Sequence, residues 1–154
     1  PGEFLMSIRQ VAFSVFALCS IAVTGVALAQ NQNVIDQRQK LFKEIDVGAD
    51  DMEDMLRGKK SFDLAYVQKS LALWVDHSAK LPALFPEDSR TGKTRAQPRV
   101  WQERARFDAL LDTFAKDSAA AAATVKDEAS FKAAMPKLFG DCKSCHDDFR
   151  AKRR

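Results

Sequence analysis

The sequence of 154 residues contains little glycine, proline or cysteine. Six Gly and five Pro are too few for a collagen-like or low-complexity chain, and a hydrophobic content of 46% excludes a disordered one. Three Cys are too few for a fold held together by disulfide bonds. No segment alternates polar and apolar residues as a half-buried strand does. These exclusions leave a single globular domain built from helices.

The sequence also lacks a strong excess of charge of either sign. It contains 24 Lys and Arg against 21 Asp and Glu, which gives a formal net charge of +3. The basic residues are scattered, apart from a short tail formed by Lys152, Arg153 and Arg154. Nucleic-acid binding relies on clustered basic side chains that neutralise phosphates, so we expect no nucleic-acid partner.

A long uncharged segment lies near the N-terminus. Residues 1–5 resemble a cloning remnant, because Met6 begins a short basic segment that precedes the uncharged residues 11–29. These residues end in Ala-Leu-Ala, a small-x-small pattern that marks signal-peptidase cleavage. We therefore predict a signal peptide at residues 6–29 and a mature domain at residues 30–154. An uncleaved anchor is the alternative, because the segment is long enough to span a bilayer, and the domain is exported in either case.

Apolar residues spaced by three and four predict four amphipathic helices in the mature domain. The first ends near Leu56, the second follows a cap at Ser61, the third begins near Pro98, and Asp127 or Ser130 caps the fourth. Pro136 interrupts the fourth pattern, where we expect a kink or a late start. Residues 82–98 form a loop that is long for a compact domain. The predicted fold is all-α, an up-down-up-down antiparallel four-helix bundle preceded by the signal peptide.

The residues that carry chemistry lie together near the C-terminus. Cys142, Cys145 and His146 form the C-x-x-C-H sequence that attaches c-type haem. On a helix these positions share one face, where two thiols can add to the haem vinyl groups and the imidazole can reach the iron. We therefore predict one covalently attached haem c, with His146 as an axial ligand of the iron.

Three other interpretations of this motif are weaker. A zinc site needs a fourth ligand, and the only other histidine, His77, is distant in the sequence and outside the apolar face of its helix. A thioredoxin-type motif belongs to a βαβ unit, which the sequence does not predict. A disulfide bond between Cys142 and Cys145 would leave His146 without a role. Haem attachment is favoured over all three, and it suits the exported compartment that the signal peptide indicates.

The whole mature region resembles the class II c-type cytochromes, the cytochrome c-prime family. The resemblance rests on the C-x-x-C-H motif near the C-terminus with Phe149 and Arg150 after it, on Arg38 and Gln39, on the stretch LPALFP at residues 81–86, and on Pro98 and Trp101. In the other common class of c-type cytochromes the haem motif lies near the N-terminus. The position of the motif therefore discriminates between the two classes.

The resemblance implies roles for three further side chains. Arg38 matches the family's arginine beside the haem propionates, and the alternative is a side chain that extends past the edge of the core. Phe42 stands where the family places the residue that covers the distal haem face, which is an iron-binding Met in low-spin members. Phe cannot coordinate, so the implied iron is five-coordinate with His146 as its sole protein ligand. Arg150 lies one turn beyond His146, either near the iron or in a solvated basic tail.

The resemblance implies a periplasmic haem protein that transfers electrons with redox partner proteins, binds a diatomic gas, or does both. Nitric oxide should bind well and carbon monoxide weakly. The alternatives are a six-coordinate, low-spin electron carrier and a protein with slow nitric oxide or peroxide turnover. Turnover is less favoured, since the sequence offers no histidine or carboxylate beside Phe42 for acid-base chemistry. Relatives are often homodimers through the first two helices, where Val34, Leu41 and Met55 form an apolar strip or widen the core face.

Overall fold

The computed structural model describes residues 5–152, with side chains described from residue 31 onwards. The five helices of this region are α1 (Leu5–Leu56), α2 (Leu64–Lys80), α3 (Arg99–Gln102), α4 (Arg104–Thr124) and α5 (Glu128–Phe149). Residues 5–152 contain no β-strand, although an isolated antiparallel bridge joins Ala96 to Arg150. The prediction of an all-α fold is confirmed.

The two predicted N-terminal segments fall largely on the part of the chain that is not described. Residues 1–4 of the predicted cloning remnant and the side chains of the predicted signal peptide, residues 6–29, lie outside the described residues. Both assignments stay predictions. Over the part that is described, none of the helices has the length and apolar character of a membrane span.

The apolar helix faces pack into one core. Helix α2 contacts α4, α4 contacts α5, and α1 contacts α2. The core draws on all four long helices, and its most buried members include Met52, Leu71, Trp74, Phe107, Phe131 and Leu138. Met55 is 8% exposed and belongs to this core, while Leu41 packs against it. Two of the three residues proposed for an apolar dimer strip therefore widen the core face.

Local chemistry determines how α1 ends and how α2 begins. After α1 ends at Leu56, Gly58 adopts a φ of 70°, a conformation that glycine accepts without strain. The cap of α2 is Asp63, whose carboxylate accepts a hydrogen bond from the Tyr66 backbone N–H at 3.0 Å. The prediction of Ser61 as the cap is therefore wrong. Asp63 occupies the position directly before the first helical residue, from which a carboxylate reaches the first turn.

The third predicted helix is interrupted in the structure, whereas the fourth is continuous through its proline. The third is broken at Glu103, which has φ −116° and ψ 44°, so that α3 and α4 replace one helix. The fourth begins as predicted, with a capping box between Asp127 and Ser130. Helix α5 continues through Pro136, so the alternative of a late start at this proline is wrong. The turns before the proline are held in place because Phe131 is fully buried in the core.

The long loop between α2 and α3 closes one end of the helices. It contains two short 3₁₀ helices, Leu81–Leu84 and Glu87–Ser89. The indole Nε1 of Trp101 donates to the carbonyl oxygen of Phe85 at 3.1 Å, which ties the loop to α3. At its other end the Ala96–Arg150 bridge ties the loop to the end of α5. The loop thus covers the end of the molecule where the C-x-x-C-H motif lies.

Candidate haem site

A cavity of about 400 Å³ lies where α1, the long loop and the end of α5 meet. Its lining includes five of the predicted site residues, which are Arg38, Phe42, Cys145, His146 and Arg150. Cys142 lines a second pocket of about 220 Å³, which shares Phe42, Cys145 and His146 with the first. The fold therefore brings together residues of α1 and α5 that are far apart in the sequence.

The two cysteines of the motif are half-buried thiols. Both are free, and burial raises the pKa of Cys142 to about 12 and that of Cys145 to about 11. Zinc binding and disulfide exchange both require thiolates, which this environment disfavours. A thioether carries no charge, so its burial has no ionic desolvation penalty. The surroundings of Cys142 and Cys145 therefore suit attachment to vinyl groups better than the competing chemistries.

The imidazole of His146 is held in its neutral form. Burial, followed by the positive charge of Arg150, lowers the pKa of His146 to about 4. A neutral ring nitrogen is what an iron ligand needs at pH 7. The backbone N–H of Arg150 donates to the carbonyl oxygen of His146 at 3.3 Å, and its half-buried side chain lines the same cavity.

Arg38 is buried under the long loop with an exposure of 2%. Its guanidinium donates to the hydroxyl of Ser89 at 2.7 Å, to the carbonyl of Ser89 at 3.0 Å and to the hydroxyl of Thr94 at 2.9 Å. A fourth bond of 3.0 Å reaches the carbonyl of Leu84, and the guanidinium lies 4.6 Å from the ring centroid of Phe85. The alternative of a side chain that extends past the core edge is therefore wrong, because the loop folds over it.

The hydrogen-bond partners of Arg38 among residues 31–152 are all neutral oxygens. Within residues 31–152 no carboxylate forms an ion pair with it, and its hydrogen bonds end on hydroxyl and carbonyl groups. Burial lowers the pKa of Arg38, but a guanidinium remains charged at neutral pH. A buried cation without a counter-ion is unfavourable, so the cavity beside it favours an anionic group. Haem propionates are such groups, and the residues present fit haem in this respect.

Aromatic rings form much of the cavity wall. Phe85 contacts Phe107 with ring centroids 4.7 Å apart, and Phe107 contacts Phe149 at 5.3 Å. Phe42 is half-buried and meets Phe85 edge-on at 6.4 Å. A flat, apolar macrocycle suits such a wall. Sequence reasoning missed the role of Phe107 and that of Phe85, which appeared only as part of the LPALFP stretch.

One carboxylate lies closer to the site than expected. Asp46 lines both pockets together with Phe42 and His146. The prediction that no carboxylate lies beside Phe42 is therefore wrong. The sequence could have predicted this contact, since Phe42 and Asp46 are four residues apart and such residues lie on the same face of a helix.

His77 is buried, although its helical position predicted a surface location. Its exposure is 7%, and its Nε2 and Nδ1 atoms lie 2.6 Å from Glu44 Oε2 and 3.0 Å from Asp76 Oδ2. These two carboxylates provide polar partners that make the burial of an imidazole acceptable. His77 lines neither of the two pockets described above, so the structure does not bring it to the cysteines as a zinc ligand.

Replacing Arg38 by Ala should lower the free energy of unfolding by about 3 kcal/mol, because buried oxygens lose charged donors and the loop loses its anchor. Chemical denaturation followed by circular dichroism measures the change. Arg90 is the matched control, since it lies in the same loop with a side chain that is 44% exposed and paired with Glu87. Arg90→Ala should change stability by at most about 0.5 kcal/mol, and equal losses would contradict the anchoring role of Arg38.

Comparison with known proteins identifies the family. The family model described as Cytochrome C' matches residues 33–150. A cytochrome c' of Rhodopseudomonas palustris is 50% identical over 131 residues, which cover 84% of this chain and 89% of that protein.

Solved structures agree with this assignment. One of cytochrome c' from Rhodopseudomonas palustris matches with a TM-score of 0.75 and 50% identity, and covers 79% of this chain and 98% of that one. A cytochrome c prime variant from Alcaligenes xylosoxidans, solved as a nitric oxide complex, has a TM-score of 0.70. At 22% identity, over 79% of this chain and 97% of that one, it shows the shared fold alone. The chain therefore belongs to the cytochrome c' family, whose members carry one covalently attached haem c per chain.

Proposed function

We propose that the protein is a periplasmic haem protein that transfers electrons and binds nitric oxide at an iron with one protein ligand, His146. The observation that carries the proposal is the set of residues around this imidazole. Among the described residues that line the two pockets there is no methionine and no second histidine. Bound haem supplies an iron that exchanges one electron and binds diatomic gases.

The residues of the cavity have distinct roles in this proposal. Cys142 and Cys145 hold the haem through thioethers, and the neutral imidazole of His146 is the iron ligand. Arg38, which is buried without a carboxylate partner, neutralises a propionate. Phe42 covers the distal face, where its ring restricts the space for a ligand, and Arg150 acts on the His146 side. The half-buried position of Phe42 beside both pockets supports its steric role.

Nitric oxide is favoured among gas ligands by two considerations. The relative from Alcaligenes xylosoxidans was solved as a nitric oxide complex. In this chain the ring of Phe42 crowds one side of the site, while Arg150 lines the cavity next to His146. Nitric oxide should therefore bind well, through the His146 side if the Phe42 side is blocked, whereas carbon monoxide should bind weakly.

We propose an up-down-up-down antiparallel arrangement of α1, α2, α4 and α5, behind a signal peptide at residues 6–29 that exports residues 30–154. The partners are redox proteins and a second copy of the chain. A groove of about 280 Å³ between α1 and α2, beside Val47 with an exposure of 48%, supports a homodimer through these helices.

Replacing Cys142 and Cys145 together by Ser should make the haem extractable into acidified organic solvent, because hydroxyl groups do not form thioethers with the vinyl groups. The matched control is Ser144→Ala, which changes the motif between the two cysteines and should keep the haem attached. Absorbance of the protein and solvent phases after extraction measures the outcome. Haem that stays covalently bound in the double variant would contradict the assigned attachment.

Replacing Phe42 by Ala should raise the carbon monoxide affinity of the ferrous protein about tenfold, because the ring no longer crowds the ligand. This factor corresponds to about 1.4 kcal/mol of relieved clash. Phe139→Ala is the control, since Phe139 lines the adjoining pocket from α5 and should change the affinity little. Carbon monoxide titrations followed by absorbance compare the three proteins. Equal affinities of the parent and Phe42→Ala would show that Phe42 does not cover the iron.

A further inference from the structure

Two aspartates meet between α4 and α5, next to the haem motif. Asp141, which directly precedes Cys142, forms a side-chain hydrogen bond with Asp117 of α4. With both groups ionised, the Oδ2 atom of each is buried and has no hydrogen-bond donor. A bond between two carboxyl groups requires a proton on one of them, because ionised carboxylates only accept. The arrangement of these two side chains is therefore a binding site for one proton.

A neighbouring lysine makes the two carboxyl groups unequal. The Lys137 ammonium donates to Oδ1 of Asp117, and this bond holds the pKa of Asp117 below its ordinary value. Burial, followed by the hydrogen bond to Asp117, raises the pKa of Asp141 to about 6. Asp141 is therefore the member of the pair that carries the proton, which it holds below about pH 6. Since the Asp117 side chain is 14% exposed, water reaches the pair from that side.

The proton site faces the same pocket as the haem-attachment residues. Asp141 lines the pocket of about 220 Å³ together with Cys142, Cys145 and His146. After burial, the charge of Asp141 is the next cause that raises the pKa of the Cys142 thiol, so its electric field already acts on the attachment position. The other charged groups that face this pocket come from α1, and they are Asp46, Asp50 and Glu53.

We propose that the Asp117–Asp141 pair is a redox-linked proton site, which rests on the haem site proposed above. When the iron gains one electron from a one-electron redox partner, the pair takes up on average a fraction of a proton from water, and it releases the same fraction on oxidation. The added negative charge at the haem strengthens proton binding, and the bound proton in turn favours the reduced iron, because such coupling is reciprocal.

The direction of the pH dependence follows from the charge of the pair. As the pH rises, the pair loses its proton and gains negative charge, which stabilises the ferric form and lowers the reduction potential. We expect the proton affinity of the pair to be about tenfold higher in the ferrous than in the ferric protein, because the charge of the haem and that of the pair interact through a partly buried region. For a one-electron couple, this factor corresponds to a total fall of about 59 mV across the titration.

Potentiometry of the haem-loaded protein between about pH 5 and about pH 8 tests the proposal. The parent should show the fall in reduction potential with rising pH. Asp141→Asn should remove this fall, so that the variant keeps the higher potential at the alkaline end of the range. Asp50→Asn is the matched control, because Asp50 lines the same pocket with an exposed side chain and lacks the pairing. A fall that persists in Asp141→Asn, or that Asp50→Asn removes equally, would overturn the proposal.

Infrared spectroscopy provides a readout that does not depend on the haem. The parent should show a carboxyl C=O component that titrates near pH 6, above the range of ordinary carboxyl groups, and Asp141→Asn should lose this component. Asp117→Asn should move the titration of Asp141 to lower pH, because the amide donates to the Asp141 carboxylate. A potential independent of pH in haem-loaded parent protein would overturn this proposal alone. A parent without covalent haem would instead overturn the proposed function, and this inference with it.

Discussion

The burial of the Arg38 charge is the constraint on which the rest of the site depends. A guanidinium at the core edge of α1 needs oxygen partners, and the long loop supplies them from Leu84, Ser89 and Thr94. The same loop carries Phe85, whose ring lies over the guanidinium and forms part of the cavity wall. The length of the loop thus has a physical reason, because it must reach over Arg38 and return to α5.

The imidazole of His146 and the thiols of Cys142 and Cys145 are neutral, as haem attachment requires. The pKa of His146 is lowered and those of the two motif cysteines are raised, in each case with burial as the largest cause. Low polarity around the motif therefore prepares an imidazole ligand and disfavours thiolate chemistry. The buried cation of Arg38 suits the anionic propionates of a haem, and the uncharged thiols of Cys142 and Cys145 suit its apolar vinyl groups.

Local patterns in the sequence predicted much of this structure. The C-x-x-C-H motif identified the cofactor, the three-and-four spacing identified the helix faces, and Asp127 marked the start of α5. The break at Glu103 and the burial of His77 were not predictable. The break lies beside the contact of α3 with the loop, and His77 is buried where α2 packs against α1. Asp117 and Asp141 illustrate the same limit, because nothing near either residue in the sequence indicates that they meet.

The absorption spectrum of the ferric and ferrous protein shows whether His146 is the only strong protein ligand of the iron, because band shapes report how many strong ligands the iron has. With His146 as the sole protein ligand and Phe42 over the other side, we expect the broad bands of high-spin, five-coordinate haem in the ferrous state. Sharp, well-separated low-spin bands in both oxidation states would show a second strong ligand. That result would contradict the assignment of an open iron site.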